Sequence, residues 1–477
     1  MSVAHTENIV VVGAGISGLA SAYRLKQLGV SALLLEAKAK PGGLISTVRR
    51  DGCLFESGPQ CPRFPASVWD LVKALGLQSE FLAGDPQAKR YILRHGRLHR
   101  APFSAASFLS SGLVGAVAKL RVLADPLGST TPPATEETLA QFVQRKFGLE
   151  LLENLVDPVV STVFFGDPRK MGMQSAFPDL VRWERDQGSL VRGAIRARRS
   201  KQEKGSSSLS VTEALPALGS FHSGMARLPE RLAEDLKDNV RFGIEICSLS
   251  GQQISGSEPH AAWRIGLSNG ETIFAKHLVL AVPACVAARL LQNSAPVLAS
   301  SLAAIEYAPM SLVSSVYSRS SVRHSLDGFG YMVPRREGLH TICTFWNSTL
   351  FPGRAPRDKV LLTTFARSLP GAHPNRAERE LGDAVEDETA RILGIAAKSL
   401  DRELWSDPRA LPQYNVGHAA LVAEISRSLR VLPNLYLTGN YLKGRSIGDC
   451  VDNAFAVAAE VHNRLCAPVI ERLERNS

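Results

Sequence analysis

The alternation of apolar and polar positions near the N-terminus predicts a strand, a helix and a second strand. Residues 9–12 are an uninterrupted apolar run, residues 19–28 form a helix-like run, and residues 32–35 are apolar again. Short apolar runs bounded by turn residues are typical of the buried strands of a parallel sheet. This order therefore predicts a βαβ unit at the start of the chain.

The later segments alternate in the same way and predict an α/β protein. Helices are predicted at residues 68–77, 225–236, 376–393 and 449–465, and strands at 239–250, 262–267, 277–283, 311–317, 328–333, 340–345, 360–365 and 435–440. Residues 86–205 differ, because a short hairpin at 88–99 is followed by mainly helical segments. We expect a discontinuous α/β domain formed by residues 1–85, 206–290 and 405–477, a helical domain at 86–205, and a second domain at 291–404.

A glycine-rich turn joins the first predicted strand to the first helix. Gly13 allows a tight turn, Gly15 lets the backbone approach a pyrophosphate, and Gly18 lets the helix lie close to the sheet. The N-terminus of the helix favours phosphate binding, and Glu36 can accept a hydrogen bond from a ribose hydroxyl but would repel a 2′-phosphate. FAD or NAD is therefore favoured over NADP. The residues of this dinucleotide fingerprint are Gly13, Ala14, Gly15, Ile16, Ser17, Gly18 and Glu36.

A glycine doublet shortly after the ribose acid distinguishes between these cofactors. Gly42 and Gly43 follow Glu36 closely and are followed by the segment Glu56-Ser57-Gly58-Pro59. This arrangement resembles the superfamily of FAD-dependent amine oxidases and protoporphyrinogen oxidases, in which the paired glycines let the chain pass close to the flavin side of the cofactor. The resemblance implies FAD.

Composition and charge narrow the class of protein further. The 477 residues suggest two or three domains, and the 45% hydrophobic and 21% charged content is that of an ordinary folded protein. The net charge of +10 suits an anionic membrane surface, an acidic substrate or simply a basic soluble enzyme, whereas no nucleic-acid-binding module is visible. The seven cysteines are scattered without metal-ligand spacing, so we expect neither a metal site nor a disulfide framework.

The sequence also bears on location. The polar N-terminus lacks the layout of a signal peptide, and no apolar run reaches the length of a membrane-spanning helix. Residues 103–123 are apolar, are interrupted by Ser and Gly, and end near Lys119 and Arg121. This segment is compatible with an ordinary helical subdomain or with a surface that rests on a membrane. We therefore expect a cytoplasmic protein, with peripheral contact to the cytoplasmic membrane face left open.

Taken over nearly its whole length, the chain resembles the oxygen-dependent protoporphyrinogen oxidase family. Beyond the two glycine motifs, the resemblance is carried by Lys89-Arg90-Tyr91, Gly166-Asp167-Pro168, Gly328-Phe329-Gly330, Phe351-Pro352, the block 411–418, and residues 437–440 leading to Asp449-Cys450. The block Pro412-Gln413-Tyr414-Asn415-Val416-Gly417-His418 is the most specific of these. The implied fold is α/β, with a Rossmann-like FAD domain of the p-hydroxybenzoate-hydroxylase type, an α+β substrate domain and a helical membrane-associated domain.

The resemblance implies a reaction as well as a fold. A porphyrinogen would be oxidised to a porphyrin by FAD, and oxygen would reoxidise the flavin and give hydrogen peroxide. The substrate could be protoporphyrinogen, with two propionates, or coproporphyrinogen, with four. Another flavin oxidase or desaturase activity, and an FAD-binding partner protein without catalysis, also stay open. A homodimer is likewise left open, and no catalytic side chain is expected because the cofactor carries the chemistry.

The same resemblance assigns roles to individual residues. Arg90 falls on the position that binds a propionate, and Met332, Ile342 and Phe365 fall on positions that enclose the ring. Thr162 stands where the family usually has a glycine beside the substrate, and Phe165 stands where the family has a small residue before Gly166-Asp167. The implied FAD contacts outside the fingerprint are Ala37, Gly42, Gly43, Leu44, Gly58, Pro59, Gln60, Cys61, Ile246, Trp405, Asn440, Arg445, Ser446 and Ile447. Arg367 replaces an expected glycine, and we interpret it either as a surface charge or as an additional anion partner.

Overall fold

The computed structural model describes residues 4–128, 133, 135–203, 218–251, 263–367, 374–432 and 434–474. The strands in chain order are β1 (Ala4–Val12), β2 (Leu33–Glu36), β3 (Thr47–Arg50), β4 (Cys53–Glu56), β5 (Phe81–Ala83), β6 (Arg90–Arg94), β7 (Arg97–Arg100), β8 (Gly219–Phe221), β9 (Val240–Phe242), β10 (Ile246–Gly251), β11 (Trp263–Leu267), β12 (Thr272–Leu280), β13 (Tyr307–Ser318), β14 (Gly330–Met332), β15 (Thr341–Phe345), β16 (Lys359–Ala366), β17 (Asp401–Pro412) and β18 (Leu435–Leu437).

The helices are given in the same way. They are α1 (Ile16–Gln27), α2 (Ala66–Ala74), α3 (Ala105–Ser110), α4 (Ala116–Ala124), α5 (Leu139–Phe147), α6 (Leu149–Leu151), α7 (Asp157–Phe164), α8 (Met173–Ala176), α9 (Pro178–Gln187), α10 (Leu190–Glu203), α11 (Arg227–Leu236), α12 (Ala284–Leu291), α13 (Pro296–Ala303), α14 (Asn347–Leu350), α15 (Pro374–Leu393), α16 (His418–Arg430) and α17 (Ile447–Glu474). A π-helical turn at Leu152–Val156 connects α6 to α7.

The first sheet contains the predicted βαβ unit. Its order is β10-β11-β12-β1-β2-β9, with β18 beside β12, and β1 runs parallel to both β2 and β12. The apolar run of β1 is buried on both faces, because Ile9 and Val11 join one core cluster while Val10 and Val12 join the other. This double burial is the reason why the strand reads as continuously apolar rather than alternating. The predicted strand–helix–strand order is therefore confirmed.

The second sheet has the order β17-β13-β16-β15-β14-β6-β7. It is antiparallel except where β14 pairs with β6 in parallel. The hairpin β6–β7 and strand β17 both belong to this sheet, although the sequence placed the hairpin with the helical domain and Trp405 at the start of the last FAD-domain segment. The strand pairings thus place both elements in the second sheet. The partition into three domains stays a prediction.

The helices between residues 105 and 203 have a separate small core. It includes Leu139, Phe142 and Val160, and α5 begins with a capping box between Thr138 and Gln141. Lys146 and Glu184 form a buried ion pair at 3.0 Å that ties α5 to α9. In the described ranges of the chain, no helix is long and apolar enough to cross a membrane.

Candidate active site

The three glycines of the fingerprint differ in the space around the position that a Cβ atom would occupy. A side chain at Gly13 would approach the carbonyl oxygen of Ala281 to 2.8 Å, and its φ of +100° is one that glycine adopts readily. A side chain at Gly18 would collide with the carbonyl oxygen of Gly13, so its absence lets α1 lie close to β1. The position of a Cβ atom at Gly15 has no atom within 4 Å. The open space therefore lies at Gly15, where a pyrophosphate is expected.

Glu36 and the glycine doublet adjoin this turn. The Glu36 carboxylate accepts hydrogen bonds from the backbone N–H of Ala14 at 2.6 Å and of Lys38 at 2.8 Å. The Gly42 N–H donates to the carbonyl of Ala14 at 2.8 Å, and a Cβ at Gly43 would lie 3.3 Å from the Cα of Gly15. The two glycine motifs are thus adjacent in space, and Ala37 lies in the chain segment that joins Glu36 to the glycine doublet.

A cleft of about 380 Å³ lies between these loops and the second sheet. Its walls on the nucleotide side come from Lys38–Pro41, Gly43, Ser46, Val48 and Phe55–Ser57, and on the sheet side from Leu312, Ser314, Glu403 and Trp405. Trp405 therefore faces the nucleotide loops even though it belongs to β17. The open space at Gly15, the N-terminus of α1 and this cleft fit FAD, the cofactor that the sequence predicts.

Hydrogen bonds fix the loop after β4. Gln60 is 3% exposed, and its amide donates to the carbonyls of Glu56 and Gly58, while its oxygen accepts from Asn347 at 2.6 Å. A side chain at Gly58 would collide with the carbonyl oxygen of Leu44, so only glycine lets these two segments meet. Burial raises the pKa of the Cys61 thiol to about 12, so it is present as the neutral thiol. The predicted contacts Leu44, Gly58, Pro59, Gln60 and Cys61 thus lie on two loops that contact each other.

A buried charge pair beneath this loop was not identified from the sequence. Glu56 accepts hydrogen bonds from the Thr47 hydroxyl at 2.6 Å and from the Met225 N–H at 2.9 Å, and lies 3.6 Å from the Arg354 guanidinium. Burial raises the pKa of Glu56, and Arg354 opposes the rise. These residues are distant in sequence, so no local pattern could have indicated their contact.

The C-terminal motif residues lie near the N-terminus of α17. Ser446 caps this helix, because the Asp449 N–H donates to its hydroxyl at 3.1 Å. The guanidinium of Arg445 lies 3.8 Å from the Phe164 ring centroid and 4.9 Å from that of Tyr414. Burial lowers the pKa of Arg445 to about 10.

The same region connects the C-terminal block with the helical region. The Tyr414 hydroxyl donates to the carbonyl of Asn440 at 2.8 Å, and the Tyr414 carbonyl accepts from the Gly172 N–H at 2.9 Å. Ile447 begins α17, whereas Ile246 lies in β10 in the core of the first sheet. The N-terminal end of α17 therefore brings together four of the predicted FAD contacts, which are Asn440, Arg445, Ser446 and Ile447. Ile246 does not belong to this group, because it lies in β10.

The predicted substrate residues share one face of the second sheet. Met332 pairs with Cys343, Cys343 pairs with Phe365, and Phe365 pairs with Leu312, which in turn pairs with Trp405. Directly paired residues point to the same face, so this row leads from the positions predicted to enclose the ring to the cleft. A register shift in β15 brings Ile342 into the same apolar cluster as Met332 and Phe365.

Arg90 lies on the same face, two residues before Ile92, which pairs with Met332. Its guanidinium is half-buried and lies over the rings of Phe329 at 4.5 Å and Phe103 at 5.2 Å. Burial lowers the pKa of Arg90, which means that the charged group is incompletely solvated. Such a guanidinium is suited to bind a carboxylate in a bidentate manner.

The two departures from the family pattern in the helical region also adjoin this face. Thr162 in α7 contacts the thiol of Cys343. Phe165 ends α7 in the left-handed conformation, and its ring packs on Phe365 with a centroid distance of 4.9 Å. Both residues therefore pack on the face of the second sheet that carries Cys343 and Phe365.

Arg367 follows β16 and is half-buried, and both interpretations of its charge, a surface charge and an additional anion partner, stay predictions. Its Nη1 donates to the carbonyls of Leu339 at 2.8 Å and Thr341 at 3.2 Å. Its Nη2 is buried and has no hydrogen-bond partner in the described part of the chain.

Comparison with known proteins places the chain among flavoproteins. The model of the family described as flavin containing amine oxidoreductase matches residues 16–462. Protoporphyrinogen oxidase 1, chloroplastic, of Spinacia oleracea is 32% identical, over 95% of this chain and 83% of its own. Coproporphyrinogen III oxidase of Bacillus subtilis (strain 168) is 26% identical, over 95% of this chain and 97% of its own.

Solved structures support the fold. The crystal structure of a protein described as a protoporphyrinogen oxidase from Exiguobacterium sp. 255-15 has a TM-score of 0.77 at 24% identity, over 97% of this chain and all of the other. Reduced UDP-galactopyranose mutase has a TM-score of 0.70 at 16% identity, over 96% of this chain and 95% of the other. At these identities the likeness concerns the mixed α/β fold with its FAD-binding domain.

Proposed function

Because this chain belongs to the flavin-containing amine oxidoreductase family, we propose that it oxidises protoporphyrinogen to protoporphyrin in porphyrin biosynthesis, with oxygen as the final acceptor. The chain is an oxidoreductase that uses FAD. The observation that carries the choice of substrate is the apolar face of the second sheet, which bears Arg90 at one edge and leads through Trp405 to the flavin cleft. A large, flat, largely apolar ring with carboxylate arms matches this arrangement.

The protein contributes binding and orientation to this reaction. FAD supplies the two-electron acceptor that removes a hydride equivalent from carbon. The apolar side chains of Met332, Ile342 and Phe365 exclude water and hold the ring flat, while Arg90 fixes its orientation through a carboxylate. Gly15 and the N-terminus of α1 leave room for the pyrophosphate and stabilise its charge.

An anaerobic reduction experiment tests the proposal. The purified holoprotein is mixed with protoporphyrinogen without oxygen, and bleaching of the flavin absorbance is followed. We expect bleaching, and then porphyrin fluorescence and hydrogen peroxide when oxygen is readmitted. A yellow protein that no porphyrinogen bleaches, but that an amine or a polyene does, would rule the proposal out.

Coproporphyrinogen is the second candidate substrate. The Bacillus subtilis relative whose name contains this substrate is matched over nearly its full length, and Arg367 offers a further cation on the substrate side. The same anaerobic experiment with both rings compares the two rates. Faster bleaching by the ring with four propionates would favour this candidate.

We also propose that the helical region rests on the anionic, cytoplasmic face of a membrane. Many of the large apolar side chains that are exposed in the described chain lie here, including Phe103, Leu109, Val117, Leu120, Leu123 and Leu127. Lys119 and Arg121 lie on the same helix, α4, as Val117 and Leu120. An apolar surface with adjacent basic side chains is typical of interfacial binding.

Co-sedimentation with vesicles of neutral and anionic lipid tests the membrane proposal. The double variant Val117→Ser, Leu120→Ser should lose binding to anionic vesicles and retain its flavin. The control is Val431→Ser, since Val431 is 80% exposed but follows α16, outside the helical region. Equal binding of all three proteins would contradict the proposal. The homodimer stays a prediction, which sedimentation of the holoprotein would test.

A further inference from the structure

Four phenylalanine rings form a continuous series across the substrate face of the second sheet. The centroid distances are 5.4 Å between Phe329 and Phe345, 5.6 Å between Phe345 and Phe365, and 4.9 Å between Phe365 and Phe165. These distances lie within the range of attractive aromatic pairs. We refer to Phe329, Phe345, Phe365 and Phe165 as the aromatic track.

A cation lies at the first end of the aromatic track. The Arg90 guanidinium is 4.5 Å from the centroid of Phe329, and its one hydrogen bond recorded in the described chain is to the Ala88 carbonyl at 3.3 Å. No carboxylate of the described residues forms an ion pair with it. This end is therefore ready to bind an anion.

A second cation lies toward the other end. Arg367 is two residues beyond Phe365 in an extended segment, which places its side chain on the same face of the sheet. It influences the Cys343 thiol electrostatically, and Cys343 pairs directly with Phe365. Arg367 is therefore close to the track but on the side away from Arg90.

The acidic groups near Arg367 are already engaged. Asp157 accepts from the backbone N–H of Arg335 at 2.8 Å and from its Nε at 3.2 Å. Glu388 accepts from the N–H groups of His340 and Thr341, both at 2.9 Å. Among the described residues, neither carboxylate forms an ion pair with Arg367, whose Nη2 is buried without a partner. Arg335, the other nearby cation, is neutralised by Asp157.

The strand register gives the separation of the two arginines. Arg90 pairs with Gly330, Gly330 with Phe345, and Phe345 with Thr363, which lies four residues before Arg367. Three strand spacings correspond to about 14 Å across the sheet, and four extended residues correspond to about 13 Å along the strand. Because the two directions are perpendicular, the Cα atoms of Arg90 and Arg367 are roughly 20 Å apart. Two arginines at this separation on one face of the sheet match a tetrapyrrole with carboxylate arms on opposite edges.

We propose that Arg367 is a second carboxylate-binding residue, opposite Arg90 across the aromatic track, which is used by rings that bear carboxylates on both edges. This inference rests on the proposed oxidation of porphyrinogens. A ring with propionates on one edge is held by Arg90 alone. A ring with four propionates is held by both arginines, so the cleft accepts coproporphyrinogen in addition to protoporphyrinogen.

Equilibrium binding of the oxidised porphyrins tests this proposal without turnover. The holoprotein is titrated with coproporphyrin, with protoporphyrin and with the tetramethyl ester of coproporphyrin, and porphyrin fluorescence is followed. We expect Arg367→Gln to weaken coproporphyrin binding by about 10-fold or more, the value of a charge-assisted hydrogen bond, and to leave protoporphyrin and the tetraester nearly unchanged. Arg90→Gln should weaken both free acids.

A matched control is Arg336→Gln. Arg336 lies on the same side of the molecule as Arg335 but interacts with Glu153 at 3.7 Å, so its loss should change neither affinity. Equal weakening of coproporphyrin and protoporphyrin by Arg367→Gln, or no weakening, overturns the proposal. If no porphyrin binds and no porphyrinogen bleaches the flavin, the proposed function itself fails and this inference fails with it.

The unsubstituted protein provides a second test, because Arg367→Gln could disturb the loop carbonyls that Nη1 holds. Coproporphyrin binding should be tighter than that of its tetraester, and it should fall more steeply with salt than protoporphyrin binding does. The same salt dependence for both free acids overturns the proposal.

Discussion

The ring of Phe165 packs on that of Phe365 at a centroid distance of 4.9 Å, although Phe165 has a φ of +49°. This left-handed conformation costs a residue with a side chain about 1–2 kcal/mol. The apolar face of the second sheet, which we propose binds the substrate, is thus covered in part by Phe165. The backbone conformation of Phe165 is one that glycine adopts more readily.

Replacement of Phe165 by glycine should weaken substrate binding and lower stability moderately. The relief of backbone strain offsets only part of the lost burial and aromatic contact of the ring, so the free energy of unfolding should fall by about 1–2 kcal/mol. KM for the porphyrinogen should rise severalfold because the wall is lost. His95→Gly is the control, since His95 has the same φ but is exposed in the β6–β7 turn, and it should not affect KM. An unchanged KM in Phe165→Gly would contradict a role in the substrate wall.

Substitution at Gly15 should remove the cofactor and leave the fold intact. Gly15 has a φ of −70° and no atom near the position of a Cβ, so valine fits the protein but occupies space expected for the pyrophosphate. The variant Gly15→Val should be purified without flavin and with an unchanged circular dichroism spectrum. Gly18→Val is the contrast, because its side chain would meet the carbonyl of Gly13 and should disrupt folding. Full flavin content in Gly15→Val would refute this assignment.

The buried pair of Glu56 and Arg354 should show strong coupling. Arg354→Met leaves the Glu56 carboxylate buried without its counter-ion and should cost about 3–5 kcal/mol of unfolding free energy. The double variant with Glu56→Gln should cost less than Arg354→Met alone, as urea unfolding would measure. Lys73→Met, at the exposed pair with Asp70, serves as the control and should cost less than about 1 kcal/mol. Strict additivity of the two buried substitutions would exclude coupling.

The free energy of unfolding should fall as the pH is lowered, because His418 has a lowered pKa in the folded protein. This ring is buried and stacked on Tyr414 at 4.3 Å, and burial lowers its pKa to about 4 from 6.5. As the pH falls below about 6.5, the unfolded state therefore takes up a proton at His418 before the folded state does. The free energy of unfolding should fall by about 2 kcal/mol between pH 7.5 and pH 5.

The pH effect is measured by urea unfolding of the holoprotein at both pH values. His418→Gln should reduce the loss, and His277, whose pKa burial also lowers to about 4, accounts for part of the remainder. An identical loss in His418→Gln and the unsubstituted protein would contradict the assignment.

The parts of the site that depend on short stretches of chain were predictable from the sequence. Gly13, Gly15, Gly18 and Glu36 belong to one βαβ unit, whose strand and helix pattern lies within consecutive residues. The motif residues that the family resemblance supplied, such as Arg90 and Phe365, also lie beside the cleft or on the substrate face. Their individual roles remain predictions.

The sequence by itself therefore determined the dinucleotide turn and the α/β pattern, because each is set by local spacing, whereas the choice of FAD came from the family resemblance of the glycine doublet. Only the tertiary structure decided that β17 carries Trp405 into the second sheet, that Phe165 reaches Phe365, and that Arg354 neutralises Glu56. These contacts join segments far apart in the chain. Strand register and side-chain packing fix them, and no periodicity within a single segment encodes a register between distant strands.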